Sequence, residues 1–154
     1  MAGRFETKLA EMGITLPEAP APAANYVPWL RAGGLLFVSG QISKGPDGLI
    51  TGTLGGAGDV ERGRDAARCC AIALLAQVKA ACDGDLDRLR QVVKLTGFVA
   101  SAPGFFDQPG VVNGASDLIG EALGEAGRHT RSAVGVAALP MGVSVEIEGI
   151  FETA

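Results

Sequence analysis

The residues best equipped for chemistry lie in the last third of the chain. Arg131-Ser132 enters a short run of small residues, Leu139-Pro140 makes a turn, and Val145-Glu146-Ile147-Glu148 alternates apolar with acidic. A planar guanidinium grips a carboxylate through two parallel hydrogen bonds. A glutamate on the following strand, Glu146, can orient or deprotonate a water. An arginine and a carboxylate beside a small pocket suit a small carboxylic acid undergoing addition of water. From the bare residues a structural salt bridge between Arg131 and a strand glutamate is the simpler reading. A second polar cluster, Ser39-Gly40-Gln41, places a glycine where a backbone amide can approach a ligand closely. Tyr26 is the only tyrosine and follows a proline-rich stretch, and Asn113 stands near the start of a helical segment.

Most other catalytic arrangements are missing. There is one histidine, His129, which leaves little for a His-based zinc site or a histidine relay. The chain has no CxxC, HExxH or GxSxG. Gly55-Gly56-Ala57-Gly58 is followed by no Lys-Ser/Thr and is not a phosphate loop. Cys69, Cys70 and Cys82 are an odd number placed in one predicted helix, where they read as small core residues. With 13 Lys+Arg against 17 Asp+Glu the net charge is −4, and no basic stripe offsets it, which weighs against nucleic-acid binding. The N-terminus has mixed charge and no apolar leader, so a cytoplasmic chain is expected.

These residues need elements to position them. The length of 154 residues and 47% hydrophobic content predict one domain over residues 1–154 with a real core. Phe5 to Met12 reads as a short helix ended by Gly13. Leu16 to Ala24, rich in proline, reads as an extended arm on the body of the domain, and residues 1–20 as an N-terminal extension. Val27–Leu30 and Leu35–Ser39 flank Gly33-Gly34 as a hairpin, with a short strand near Leu49 to Thr51. Asp59 is the predicted N-cap of a long helix. Its stripe of Val60, Ala67, Cys70, Ala71, Leu74, Val78 and Ala81 has helical spacing. Val92 to Ala100 is a strand, Val111 to Ala126 a glycine-rich second helix with Gly127 as C-cap, and Ser132 to Val136 a short strand. Val143 to Phe151 alternates, with Glu146 and Glu148 on one side. The order defines an α+β domain. Two helices can cover only one sheet face, so the face with Glu146 and Glu148 must meet solvent or another subunit.

Several of these segments together resemble the reactive intermediate deaminase family, also called YjgF-like or RidA-like. The matching residues are Ala21-Pro22-Ala23-Ala24-Asn25-Tyr26-Val27, Leu36-Phe37-Val38-Ser39-Gly40-Gln41, Val93 to Val99, Val112-Asn113, and Arg131-Ser132 through Leu139-Pro140 to Glu148. The resemblance implies a chorismate-mutase-like mixed sheet with two long helices on one face. It also implies a homotrimer with a central barrel and a site in each cleft between subunits. The implied activity is hydrolysis of 2-imino acids, such as 2-iminobutanoate and 2-iminopropanoate, to 2-keto acids and ammonia, without metal or organic cofactor. Arg131 then matches the residue that binds the substrate carboxylate, and Glu146 the one beside the attacking water. Tyr26, Ser39, Asn113 and Ala133 match positions lining the cleft, and Gly40 a backbone contact. His129 stands where the family usually has proline, and Ala133 where it often has cysteine. The segment 105–113 is longer and residues 1–20 are extra, which marks a divergent subgroup. A non-catalytic trimer that binds a keto acid in the same clefts is the alternative. An endoribonuclease, an activity ascribed to some relatives, fits the acidic chain least.

Overall fold

The computed structural model describes residues 1–21 and 24–154. Pro22 and Ala23, in the middle of the predicted arm and of one matching segment, lie outside the described residues. The chain runs α1 (Arg4–Glu11), β1 (Trp29–Ala32), β2 (Leu35–Ile42), the two-residue strands β3 (Lys44–Gly45) and β4 (Gly48–Leu49), α2 (Asp59–Ala81), β5 (Leu89–Ala100), α3 (Gln108–Leu123), β6 (Thr130–Val136) and β7 (Val145–Thr153). β3 and β4 pair with each other, and the remaining five strands form one sheet in the order β1-β2-β7-β5-β6. Neighbours are antiparallel except β5 and β6, which run parallel. A parallel pair needs a crossover, and α3 supplies it. The expected α+β class and mixed sheet are therefore present.

Alternation decides which way each strand faces. On β7, Val145, Ile147 and Phe151 are fully buried, Glu148 is exposed, and Glu146 lies between these extremes. Leu36 and Val38 on β2 and Leu95 and Val99 on β5 point to the same side as the buried β7 residues. There they meet Ala67, Cys70, Ala71, Leu74 and Val78 of α2 and Val111, Val112, Ala115 and Ile119 of α3. The predicted α2 stripe is buried apart from half-buried Val60. Gly63, Ala66, Leu75 and Gln77 are buried as well, because α3 and the N-terminal segment cover further sides of this helix. The opposite sheet face is uncovered and carries exposed Leu30, Phe37 and Val134 beside the two glutamates.

The first 20 residues are joined to the body. Phe5 and Leu9 of α1 enter the core, and the backbone amides of Arg4 and Phe5 donate to the Asp87 carboxylate at 2.7 and 2.9 Å. Buried Gln77 donates to the carbonyl of Pro20 at 2.7 Å. That bond satisfies an amide inside the core and holds the extended stretch against α2.

Helix ends depart from expectation in three places. Asp59 is the first residue of α2, not its cap; its carboxylate accepts the amides of Gly55 (2.8 Å) and Gly56 (3.2 Å) and so orders the glycine loop ahead of the helix. α3 begins earlier, because Asp107 caps it by accepting from the amide of Gly110 at 3.0 Å, with Pro109 in the first turn. It also ends earlier, at Gly124 with φ of 60°, and Gly127 closes a separate 3-10 turn. Cys82 lies just beyond α2, and all three cysteines are free.

Candidate active site

β6 is an edge strand, and Arg131 stands on it opposite Leu95 of β5. Alternation turns Arg131, Ala133 and Gly135 to the helix side, so the guanidinium meets α3. Arg131 Nη1 donates to Asn113 Oδ1 at 2.8 Å and to Ser116 Oγ at 3.1 Å. Asn113 and Ser116 are three residues apart, one helical turn on one face. Ser116 Oγ is 2.9 Å from His129 Nε2, and His129 Nδ1 is 2.6 Å from the carbonyl oxygen of Gly127. These residues, with Gly120 and Arg128, line a cleft of about 340 Å³. No carboxylate lines it, and among the described residues Arg131 forms no ion pair. The structural salt bridge weighed from sequence is thus not formed, and the guanidinium keeps donors for an anion.

Glu146 stands elsewhere. It pairs with Ile42 of β2 and Phe98 of β5 and lies on the uncovered face. Its carboxylate lies against Gly40: a Cβ added there would be 2.6 Å from Glu146 Oε2. β2 carries an irregularity in its pairing with β7 between Val38 and Gln41, and Gly40 sits within it. Ser39 donates to the carbonyl of Val27 at 2.9 Å, which ties the strand to the exposed stretch containing Tyr26. Replacing Gly40 by alanine should push the Glu146 carboxylate aside; a crystal structure of the variant would show the displaced side chain.

Partial burial is the main cause that raises the Glu146 pKa, and the negative charge of Glu148 adds to it. A raised carboxylate is closer to the range where proton transfer at neutral pH is efficient. The same shift has a stability consequence. The folded chain holds this proton more tightly than the unfolded one, so ionised Glu146 destabilises the fold above its folded pKa. That penalty disappears as the pH falls below the ordinary glutamate value. Glu146→Gln should therefore raise the melting temperature near pH 8, with the difference from the unaltered chain shrinking toward about pH 4.

The expected site residues thus fall into two groups. Arg131 and Asn113 are brought together at the β6 edge on the helix side. Glu146, Gly40 and Ser39 are brought together on β7 and β2, with Tyr26 nearby. Within one copy of the chain, Arg131 and Glu146 project to opposite sheet faces and β5 separates their strands, so the expected pair is not assembled by a single protomer. Ala133, opposite Gly97, packs against the core and does not line the cleft. Ser116 was not legible as a site residue, although its spacing from Asn113 was available. His129, solitary in the sequence and standing where the family usually has proline, joins the Arg131 group through Ser116. Among the described residues no cluster of three or more His, Cys, Asp or Glu side chains could hold a metal, and no helix is long and apolar enough to cross a membrane.

The α+β fold agrees with comparison to known proteins. The family model described as "YjgF/chorismate mutase-like, putative endoribonuclease" matches residues 6–148, and the chain belongs to this family. Protein TCP17 of Trypanosoma cruzi is 50% identical over 153 residues, covering 98% of this chain and 95% of that protein. The crystal structure of Atu1372 from Agrobacterium tumefaciens, a protein of unknown function, superposes with a TM-score of 0.89 at 50% identity, covering 97% of this chain and 92% of that one. A "putative endoribonuclease" from Shewanella oneidensis gives a TM-score of 0.91 at 32% identity, covering 97% and 99%. More distant is RidA from an Antarctic Psychrobacter, with a TM-score of 0.61 at 27% identity, covering 88% and 94%.

Proposed function

We propose that the chain hydrolyses small 2-imino acids to 2-keto acids and ammonia, in a cleft formed where one copy's β6 edge meets another copy's uncovered sheet face. The observation that carries this reading is Arg131. Its guanidinium is fixed by Asn113 and Ser116, has no acidic partner among the described residues, and opens on a cleft of suitable size for a small anion. Family membership and the RidA neighbour support it.

The chemistry asks little of the protein. A protonated imine is already electrophilic. Arg131 holds the substrate carboxylate, which sets the imine carbon at a defined distance from the cleft wall. Glu146 of a second copy accepts a proton from water as the oxygen adds to that carbon. It returns the proton to nitrogen and then takes the hydroxyl proton as the carbonyl forms and ammonia leaves; ammonia picks that proton up as ammonium, and the carboxylate is restored. Holding both reactants in register supplies most of the acceleration. The raised pKa of Glu146 suits both halves of this exchange. A closed ring of copies, a homotrimer as the resemblance implies, would bury the uncovered face and join the two residue groups.

A second reading, a keto-acid-binding protein without catalysis, is favoured by the placement of Glu146 away from Arg131 in one protomer. Incubating the purified chain with a dehydratase and threonine separates the two. Faster release of 2-ketobutyrate, lost in Arg131→Ala and in Glu146→Gln, supports hydrolysis. Keto-acid binding without acceleration supports the binder.

A further inference from the structure

His129, Ser116 and Arg131 form a chain of hydrogen bonds whose directions can be assigned. A carbonyl oxygen only accepts, so His129 Nδ1, 2.6 Å from Gly127 O, carries a hydrogen. In the neutral ring Nε2 is then an acceptor, and the single Ser116 hydrogen is committed to it across 2.9 Å. Arg131 Nη1 donates to the same Ser116 oxygen at 3.1 Å. In this state Ser116 has no hydrogen to offer the cleft. Protonation of Nε2 reverses the bond. The ring then donates to Ser116 Oγ, whose two lone pairs take Arg131 and His129, and the hydroxyl hydrogen is released. Arg131 cannot accept it, and an anion in the cleft is a stronger acceptor than the neutral Asn113 Oδ1, which already receives Arg131. The hydrogen turns toward the cleft, where an anion would accept it.

We propose that carboxylate binding at Arg131 is coupled to uptake of a proton by His129, with the Ser116 hydroxyl as the switch between them. The inference rests on the reading of Arg131 as a carboxylate site and adds a proton to it. Arg131 and Arg128 line the cleft with the ring; a bound anion adds a negative charge beside the ring and an acceptor for the freed Ser116 hydroxyl, so it favours the charged ring. The remaining charged groups on the elements around the ring are these. α3 carries Asp117, tied to Arg64 at 3.0 Å, and exposed Glu121. The turn after α3 carries Glu125, 3.8 Å from Arg128. β5 carries Arg90 and Lys94, the latter opposite Thr130. None of these lines the cleft. His129 and Ser116 are positioning residues in the empty site, and Ser116 becomes a ligand donor only when the ring is charged.

The chain has one histidine, so its ring resonance is assigned without mutation. Titrating the full-length protein by NMR, with and without saturating 2-oxobutanoate, reads the coupling directly. Bound ligand should move the ring titration to higher pH. By reciprocity the affinity measured calorimetrically should rise up to about tenfold between pH 8 and pH 6. His129→Asn should bind with no such pH dependence, and Ser116→Ala with a reduced one. A ring titration unmoved by saturating ligand, or a pH slope retained in His129→Asn, overturns the coupling alone. Failure of the unaltered chain to bind 2-oxobutanoate at either pH overturns the coupling together with the carboxylate site beneath it.

Discussion

The Arg131→Ala variant should bind a 2-keto acid, and on the proposed reading should turn over a 2-imino acid, roughly a hundredfold or more less well than the unaltered chain. The size follows from what is lost: charge-assisted hydrogen bonds of about 1.5–3 kcal/mol each, with 1.4 kcal/mol per factor of ten. Arg131→Lys is the sharper version. It keeps the charge and loses the planar fork, so it should recover only part of the affinity. Full recovery by lysine would mean that Arg131 acts as a point charge and not as a two-pronged grip. Neither variant should unfold the domain, because Arg131 sits at an edge and its partners Asn113 and Ser116 are only partly buried. A thermal melt of each variant separates lost binding from lost structure.

The largest stability effect is expected at Gly114. This residue lies between Asn113 and Ser116 on α3, and a Cβ there would run into the backbone carbonyl of Arg64 on α2. A backbone oxygen cannot swing aside as a side-chain tip can, so α3 as a whole must shift. Gly114→Ala should cost about 1–3 kcal/mol through overpacking. This outweighs the gain of up to about 1 kcal/mol that alanine brings to an isolated helix. Gly120, on the same helix, is the control: nothing lies within 4 Å of its added Cβ. Gly120→Ala should therefore raise the melting temperature while Gly114→Ala lowers it by several degrees. Calorimetry of the two proteins checks both signs at once. The displaced helix in Gly114→Ala carries Asn113 and Ser116 with it, so keto-acid affinity should fall too.

These two glycines also show what a sequence can and cannot say. Both depress the helical propensity of α3, and nothing in their spelling separates one required by a neighbouring backbone from one facing open space. Periodicity was enough for the buried stripe of α2 and for the alternation of β7, since each follows from local geometry alone. The helix limits shifted because Asp107 and Gly124 act through hydrogen bonding and backbone dihedrals that compete with weaker candidates nearby. At the site, Arg131 and Glu146 were legible as types, and their separation was not. It depends on strand order, which places β5 between β6 and β7 and makes one pair parallel. A serine inside a helix, such as Ser116, has no distinctive pattern until a histidine from the connection before β6 reaches it.

The parallel pairing of β5 and β6 has a consequence for how the molecule is made. β6 cannot dock until residues 101–129 have crossed the sheet, which is a costly loop to close compared with a hairpin. Its arginine is thus set in place by contacts between segments distant in the chain, Leu95 pairing with Arg131 itself. An anion that binds there recognises the finished native state and not its precursors, and so draws the folding equilibrium toward completion.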